Sequence, residues 1–327
     1  MLCILYVTAV GALLGIAGLF TERALPATFP RRLVWCLIIP TSVFLPGYNR
    51  MHHNFSVTDL LSGRTGAGSS HAMSSASPGI LDPDWWFRAQ SFDSIINQTW
   101  LVASVVLILW AMANVARVWL VVWKSRKENE SPRVVDGVPI VVTDAVGPAT
   151  VGLLRSSVLV PRWVLALPGI QRRYVLCHEE QHRKAHDSLL LFVMSCFLVL
   201  MPWNIALWWH LRRLRLAVEM DCDNRVVMTL GNANAYGELL LKVAQAGSRG
   251  PRFQPALLGV GMLEKRLTAL LAPTPLRHVQ RFLLPAVAVI LLVAVVLVPH
   301  PVTGHGGHAR VAVSADKATS SNTMTKR

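Results

Sequence analysis

The sequence predicts an α+β domain carried by a multi-span α-helical membrane protein. Three observations lead there. The 327 residues are 53% hydrophobic and only 15% charged, against about 45–50% apolar and about 25% charged in an ordinary soluble domain. The charge that remains is lopsided, a formal net of +14, and its basic excess gathers between Lys124 and Arg281. That basic stretch reads as short strands followed by helices, the pattern of an α+β unit. Such apolarity excludes a disordered chain. No helix-turn-helix, RRM or zinc-finger spacing is present, so no direct nucleic-acid contact is expected and a membrane accounts for the charge. Five scattered cysteines, Cys3, Cys36, Cys177, Cys196 and Cys222, make neither a disulfide framework nor a CxxC clip.

A bilayer crossing takes about 20 apolar residues. Leu2–Phe20 qualifies and, lacking a basic stretch before it, reads as an anchor rather than a cleaved signal. Leu33–Tyr48 is shorter and contains Pro40 and Pro46. Trp100–Trp123 is long enough if Arg117 snorkels, and Phe282–Val298 is free of charge. The positive-inside rule then puts the Arg23, Arg31 and Arg32 loop and the Lys124–Arg281 block inside. The expected organisation is two N-terminal transmembrane helices (1–48), an extracytoplasmic loop (49–98), a third transmembrane helix (99–123), a cytoplasmic domain (124–281), a C-terminal transmembrane helix (282–299) and a disordered extracytoplasmic tail (300–327). The loop has a Gly/Ser-rich middle, Ser62–Gly79, and ends in Asp84-Trp85-Trp86-Phe87-Arg88, an aromatic interfacial anchor or a ligand-sensing element.

Within the domain, Val134–Val142 alternates around Gly137 and reads as a hairpin. Ala149–Val160 reads as a second strand pair turning at Ser156-Ser157. A helix is expected from Gln171 to at least Asp187, with further helices over Arg212–Leu230, Asn234–Ala246 and Met262–Leu271. Val158–Val160 is either a core strand or an edge that receives a peptide as an added strand.

The Gln171 helix carries His178-Glu179-Glu180-Gln181-His182, the spacing HExxH. Residues four apart share a helical face, so both imidazoles can grip one metal ion. Glu179, about 100° around the helix, then stands beside the open coordination position as a general base rather than as a ligand. A hydrolytic Zn²⁺ site needs a third protein ligand. His186 continues the stripe but lies too far along the helix for the same ion. Glu219 and Asp223, again four apart, suit better: one carboxylate to ligate and one to orient a ligand histidine. Cys177 and Cys222 flank the motifs; each could ligate a metal, but Cys177 is rotated about 100° from His178 on the helix, and both read as small buried residues. Arg212, Arg213 and Arg215 face acidic lipid head groups, a repressor or solvent, with lipid the first choice.

HExxH followed by ExxxD resembles a gluzincin. The wider text is more specific: Pro148-Ala-Thr-Val-Gly152, His178–Asp187, Pro202-Trp-Asn204, Glu219–Asp223, Tyr236-Gly-Glu-Leu-Leu240 and Leu263-Glu-Lys-Arg266. With the spans, these segments resemble the integral-membrane zinc metallopeptidases of the beta-lactam sensor-transducer (BlaR/MecR-like) type. The resemblance implies a zincin-like gluzincin fold and a prokaryotic plasma (inner) membrane. It implies His178, His182 and Glu219 as Zn²⁺ ligands and Glu179 as catalytic base, with Asp223 and Asp187 in the shell behind them. It further implies membrane lipid as partner, a protein substrate such as a cytosolic transcriptional repressor, and self-cleavage, and it leaves a homodimer open. One departure is expected: only residues 299–327 follow Val298, so a penicillin-binding sensor domain is not anticipated. The competing function is a non-catalytic membrane transducer or scaffold that keeps the zinc-binding fold.

The apolar run Ser188–Trp209 tests this reading. As one straight helix it would measure about 33 Å and part His182 from Glu219 across the bilayer. The zinc geometry therefore requires this membrane-associated segment (188–209) to bend or re-enter, with Pro202-Trp203-Asn204 as the break.

Overall fold

The apolar runs become helices that reverse at prolines and capping residues. The computed structural model describes residues 2–26, 29–51, 83–128, 133–143, 147–154, 156–247, 256–271 and 278–297. The Gly/Ser-rich stretch Ser62–Gly79 and the tail 300–327 lie outside the described residues. The first helices are α1 (Leu2–Ala24), α2 (Arg32–Met51) and α3 (Pro83–Glu128). Strands β1 (Arg133–Val135), β2 (Val138–Val142), β3 (Ala149–Val151) and β4 (Ser157–Val160) follow. Next come α4 (Arg162–Leu165), α5 (Gly169–Lys184), α6 (Asp187–Leu200), α7 (Ile205–Leu230), α8 (Ala233–Gly247), α9 (Ala256–Leu271) and α10 (His278–Leu297). The fold is mostly helical with one small sheet.

Two helical segments, Ile4–Ala24 and Gln98–Lys124, are long and apolar enough to cross a membrane, whereas Arg32–Pro46, Asp187–Leu200 and Leu283–Val295 are shorter apolar helices. Helix α3 is longer than the expected third span. It starts at Pro83 and runs 46 residues, about 69 Å, so Asp84–Arg88 belongs to a helix and not to a loop. The physical reason is that residues 84–128 contain neither glycine nor proline, and Pro83 sits at the helix start where its missing N–H costs nothing.

Two cores form. One joins α1, α2, α6, α7 and α10 through Val10, Leu14, Trp35, Ile39, Leu207, Leu214 and Val295. Here α1 meets α7 at Gly15, where a Cβ would stand 2.5 Å from Trp209 Cζ3 and 2.6 Å from His210 Nε2. The other core joins the sheet to α5, α7 and α8 through Ile140, Val158, Val160, Leu176, Cys222 and Tyr236.

The sheet order is β1-β2-β4-β3, with β2 and β4 parallel and the outer pairs antiparallel. Asp136 and Gly137, both at positive φ, close the first hairpin as an Asp-Gly turn. Strand β4 pairs on both sides, and Val158–Val160 is 0% exposed. It is therefore a core strand, and the edges belong to β1 and β3. Ser157 is already in β4, so of the expected Ser156-Ser157 turn only Ser156 lies between the strands.

The run Ser188–Trp209 is a helical hairpin. Helix α6 ends at Leu200, Asn204 caps α7 by accepting the Ala206 N–H, and the two helices pack against each other. Fourteen residues outward in α6 and about the same number back from Ile205 to Glu219 each span about 21 Å. That near equality returns Glu219 to the level of the HExxH helix.

Candidate metal centre

Helix α5 presents His178 and His182 on one face, and their Nε2 atoms stand 3.2 Å apart. Glu219 on α7 faces both: its Oε2 is 3.6 Å from His178 Nε2 and its Oε1 is 3.8 Å from His182 Nε2. One ion with bonds of about 2.0–2.2 Å requires donors separated by about 3.3–3.5 Å, so this set fits a single metal. Cys222 also lies close. Its Sγ and the histidine nitrogens fall within 4.8 Å of one another. The thiol, however, touches His178 at Nδ1, 3.3 Å away, on the ring edge facing away from the shared Nε2 position. The carboxylate is the better-placed third donor.

The far edges of both rings are occupied, as ligand histidines require. His182 Nδ1 meets Asp187 Oδ2 at 2.8 Å. His178 Nδ1 meets the Tyr236 hydroxyl at 2.9 Å, and that hydroxyl donates to Asp223 Oδ1 at 2.7 Å. Arg266 grips Asp223 through Nε and Nη2 at 2.8 and 2.7 Å, and reaches Glu219 Oε2 with Nη1 at 3.0 Å. The expected pairs thus come together, while Tyr236 and Arg266 emerge as members with no individual role assigned from sequence. Both lie inside the segments that carried the resemblance, Tyr236–Leu240 and Leu263–Arg266. Their contacts cross the chain from α8 and α9, which local spacing does not reveal.

The electrostatics follow the contacts. Burial opposes ionisation of Glu219, but Arg266 and then the two imidazoles outweigh it and hold the carboxyl well below its usual range. Burial likewise disfavours an imidazolium at His182, and the Asp187 bond together with the Cys222 thiol outweighs it, pushing the pKa of the metal-free ring up to about 10. Burial, then the Asp223 charge, pushes the Tyr236 phenol up, so its hydroxyl remains a donor.

Glu179 is 7% exposed, and the Thr150 hydroxyl of edge strand β3 lies 2.7 Å from its carbonyl and 3.1 Å from Oε2. A cavity of about 410 Å³ opens over these groups, lined by Thr150, His178, Glu179, His182, Glu219 and Arg266 among others. The expected helix to Asp187 stops sooner. Ala185 caps α5, and His186 takes a left-handed conformation at φ 53°. That reversal turns Asp187 back onto His182, while His186 itself is exposed. Arg213 is not free for lipid: it pairs with Glu22 at 2.7 Å and lies over the Trp35 ring.

The family model described as BlaR1 peptidase M56 matches residues 67–270. The chain belongs to the M56 peptidase family. It is also 30% identical over 105 residues to the regulatory protein BlaR1 of Bacillus licheniformis, a match covering 31% of this chain and 17% of that protein. The family is one of metallopeptidases, so a metal is expected where His178 and His182 converge.

Proposed function

We propose that the chain is a multi-pass membrane zinc endopeptidase whose domain at residues 124–281 faces the cytosol. The observation that carries this reading is the convergence of His178 Nε2, His182 Nε2 and the Glu219 carboxylate, with Glu179 buried beside them. Zn²⁺ held there would polarise the scissile carbonyl and lower the pKa of its water towards about 7. The residues do the rest. Glu179 accepts the water's proton and delivers it to the leaving amine, and Thr150 steadies the Glu179 carboxylate. Strand β3 is the sheet edge at the cavity, where a substrate peptide can add as a strand once Ser188 releases the Thr150 carbonyl. Asp187 and Asp223 orient the two imidazoles. The substrate we favour is a cytosolic regulatory protein of the repressor type, with the chain itself as a second substrate.

The reading of four crossings takes α1, α2, α3 and α10 as spans: α1, α2 and α10 share an apolar core with the α6–α7 hairpin, and α3 is long and apolar enough to cross. The test compares protein fragments produced in membranes carrying the wild type or Glu179→Gln. New N-termini that appear with the wild type and vanish with Glu179→Gln support the peptidase. Identical fragment sets, with metal still bound in both proteins, would leave a non-catalytic transducer.

A further inference from the structure

The carboxylate that holds His182 is itself held from outside the matched segment 67–270. Asp187 is 2% exposed. Its Oδ2 meets His182 Nδ1 at 2.8 Å, and its Oδ1 accepts Arg32 Nη1 at 2.5 Å. Arg32 is the first residue of α2. The chain there is pinned to the peptidase core, because the Arg31 and Arg32 N–H groups donate to Asp221 Oδ1 and Oδ2 at 3.0 Å each. Asp221 lies on α7, two residues beyond Glu219. Arg225 Nη2 is 3.5 Å from Asp187, too long for a good hydrogen bond. Among the described residues, Arg32 therefore makes the close cationic contact on this buried carboxylate.

We propose that Arg32 is a positioning residue of the metal centre: it fixes Asp187 and, through Asp187, the ring plane and tautomer of His182, so that the α1–α2 junction is built into the metal site. The proposal rests on the reading of His182 as a metal ligand. A buried carboxylate that loses its hydrogen-bonded cation is free to rotate or to draw in water, and His182 then loses the partner that aims Nε2. Removing such an outer partner commonly weakens metal affinity by about 10–100-fold.

The experiment uses the full chain in lipid nanodiscs. Zn²⁺ affinity is measured by chelator competition, and the Co²⁺-loaded protein is examined by its visible absorption. Arg32→Met is expected to weaken Zn²⁺ about tenfold or more and to shift the Co²⁺ bands. Arg32→Lys is expected to recover most of the loss, and Arg23→Met, which removes an exposed arginine at the same end of α1, should behave as wild type. Because both residues act on one ring, Arg32→Met combined with Asp187→Asn should bind no more weakly than Asp187→Asn alone. Wild-type affinity and bands in Arg32→Met, alongside a weakened Asp187→Asn, would overturn the proposal. So would additive losses in the double variant. If Arg32→Met does not fold, Arg32→Gln carries the same comparison. Should His182→Ala and Asp187→Asn both bind Zn²⁺ as wild type, the metal reading fails instead, and the proposal falls with it.

Discussion

Tyr236 shows how a single hydroxyl can set a ligand's tautomer. It donates to Asp223 and so presents a lone pair to His178 Nδ1, which keeps the proton on Nδ1 and frees Nε2. Tyr236→Phe is expected to weaken Zn²⁺ binding about 10–100-fold while the fold persists, since Arg266 still satisfies Asp223; chelator competition measures this. Protons compete at the same site. The metal-free His182 ring holds its proton up to about pH 10, and that proton must leave when a metal binds. Zn²⁺ affinity should therefore rise steadily from pH 6 to pH 9. In the metal-free chain the sign reverses. The raised folded pKa contributes stability that is fully present below about 6.5 and lost as pH climbs towards about 10. His178, Glu179 and His182 were readable in the sequence because a helix brings neighbours at i and i+4 onto one face. Tyr236, Arg266 and Arg32 were not, since each acts across the fold from a different helix.

Among the elements, the α6–α7 hairpin decides whether a metal site exists at all. Hydropathy sees one unbroken run from Ser188 to Trp209, and only the requirement that His182 and Glu219 meet demanded a bend. The chain makes it with the turn at Pro202-Trp203 and the Asn204 cap. On the outer side of the hairpin, Trp100 Nε1 and Ser104 Oγ of α3 donate to the Leu200 and Val199 carbonyls left open at the end of α6. Two further contacts set the packing. Asp221 caps the start of α2 with two hydrogen bonds, so Asp221→Ala should lower stability by about 0.5–2 kcal/mol. Gly15 lets α1 lie against Trp209 and His210, and Gly15→Ala forces those rings aside at about 1–3 kcal/mol. Thermal unfolding of the metal-free chain in nanodiscs reads both. Glycine at 15 was visible in the sequence, but which helix it faces was not, because α7 arrives from about 190 residues away.

Over the whole molecule, the α1–α2 junction packs against the metal centre, while the Leu200–Trp203 turn meets α3 near Trp100. The length of α3 was missed, since charge and tryptophan at Asp84–Arg88 look like a loop anchor even where no residue breaks a helix. Everything in the functional account depends on α5 and α7 holding one ion through two imidazoles and a carboxylate. X-ray absorption on the zinc-loaded full chain tests this most directly. The account predicts two imidazoles and oxygen donors at about 2.0–2.2 Å with no sulfur. A sulfur scatterer at about 2.3 Å, placing Cys222 on the metal, or a spectrum unchanged in Glu219→Ala, would contradict it.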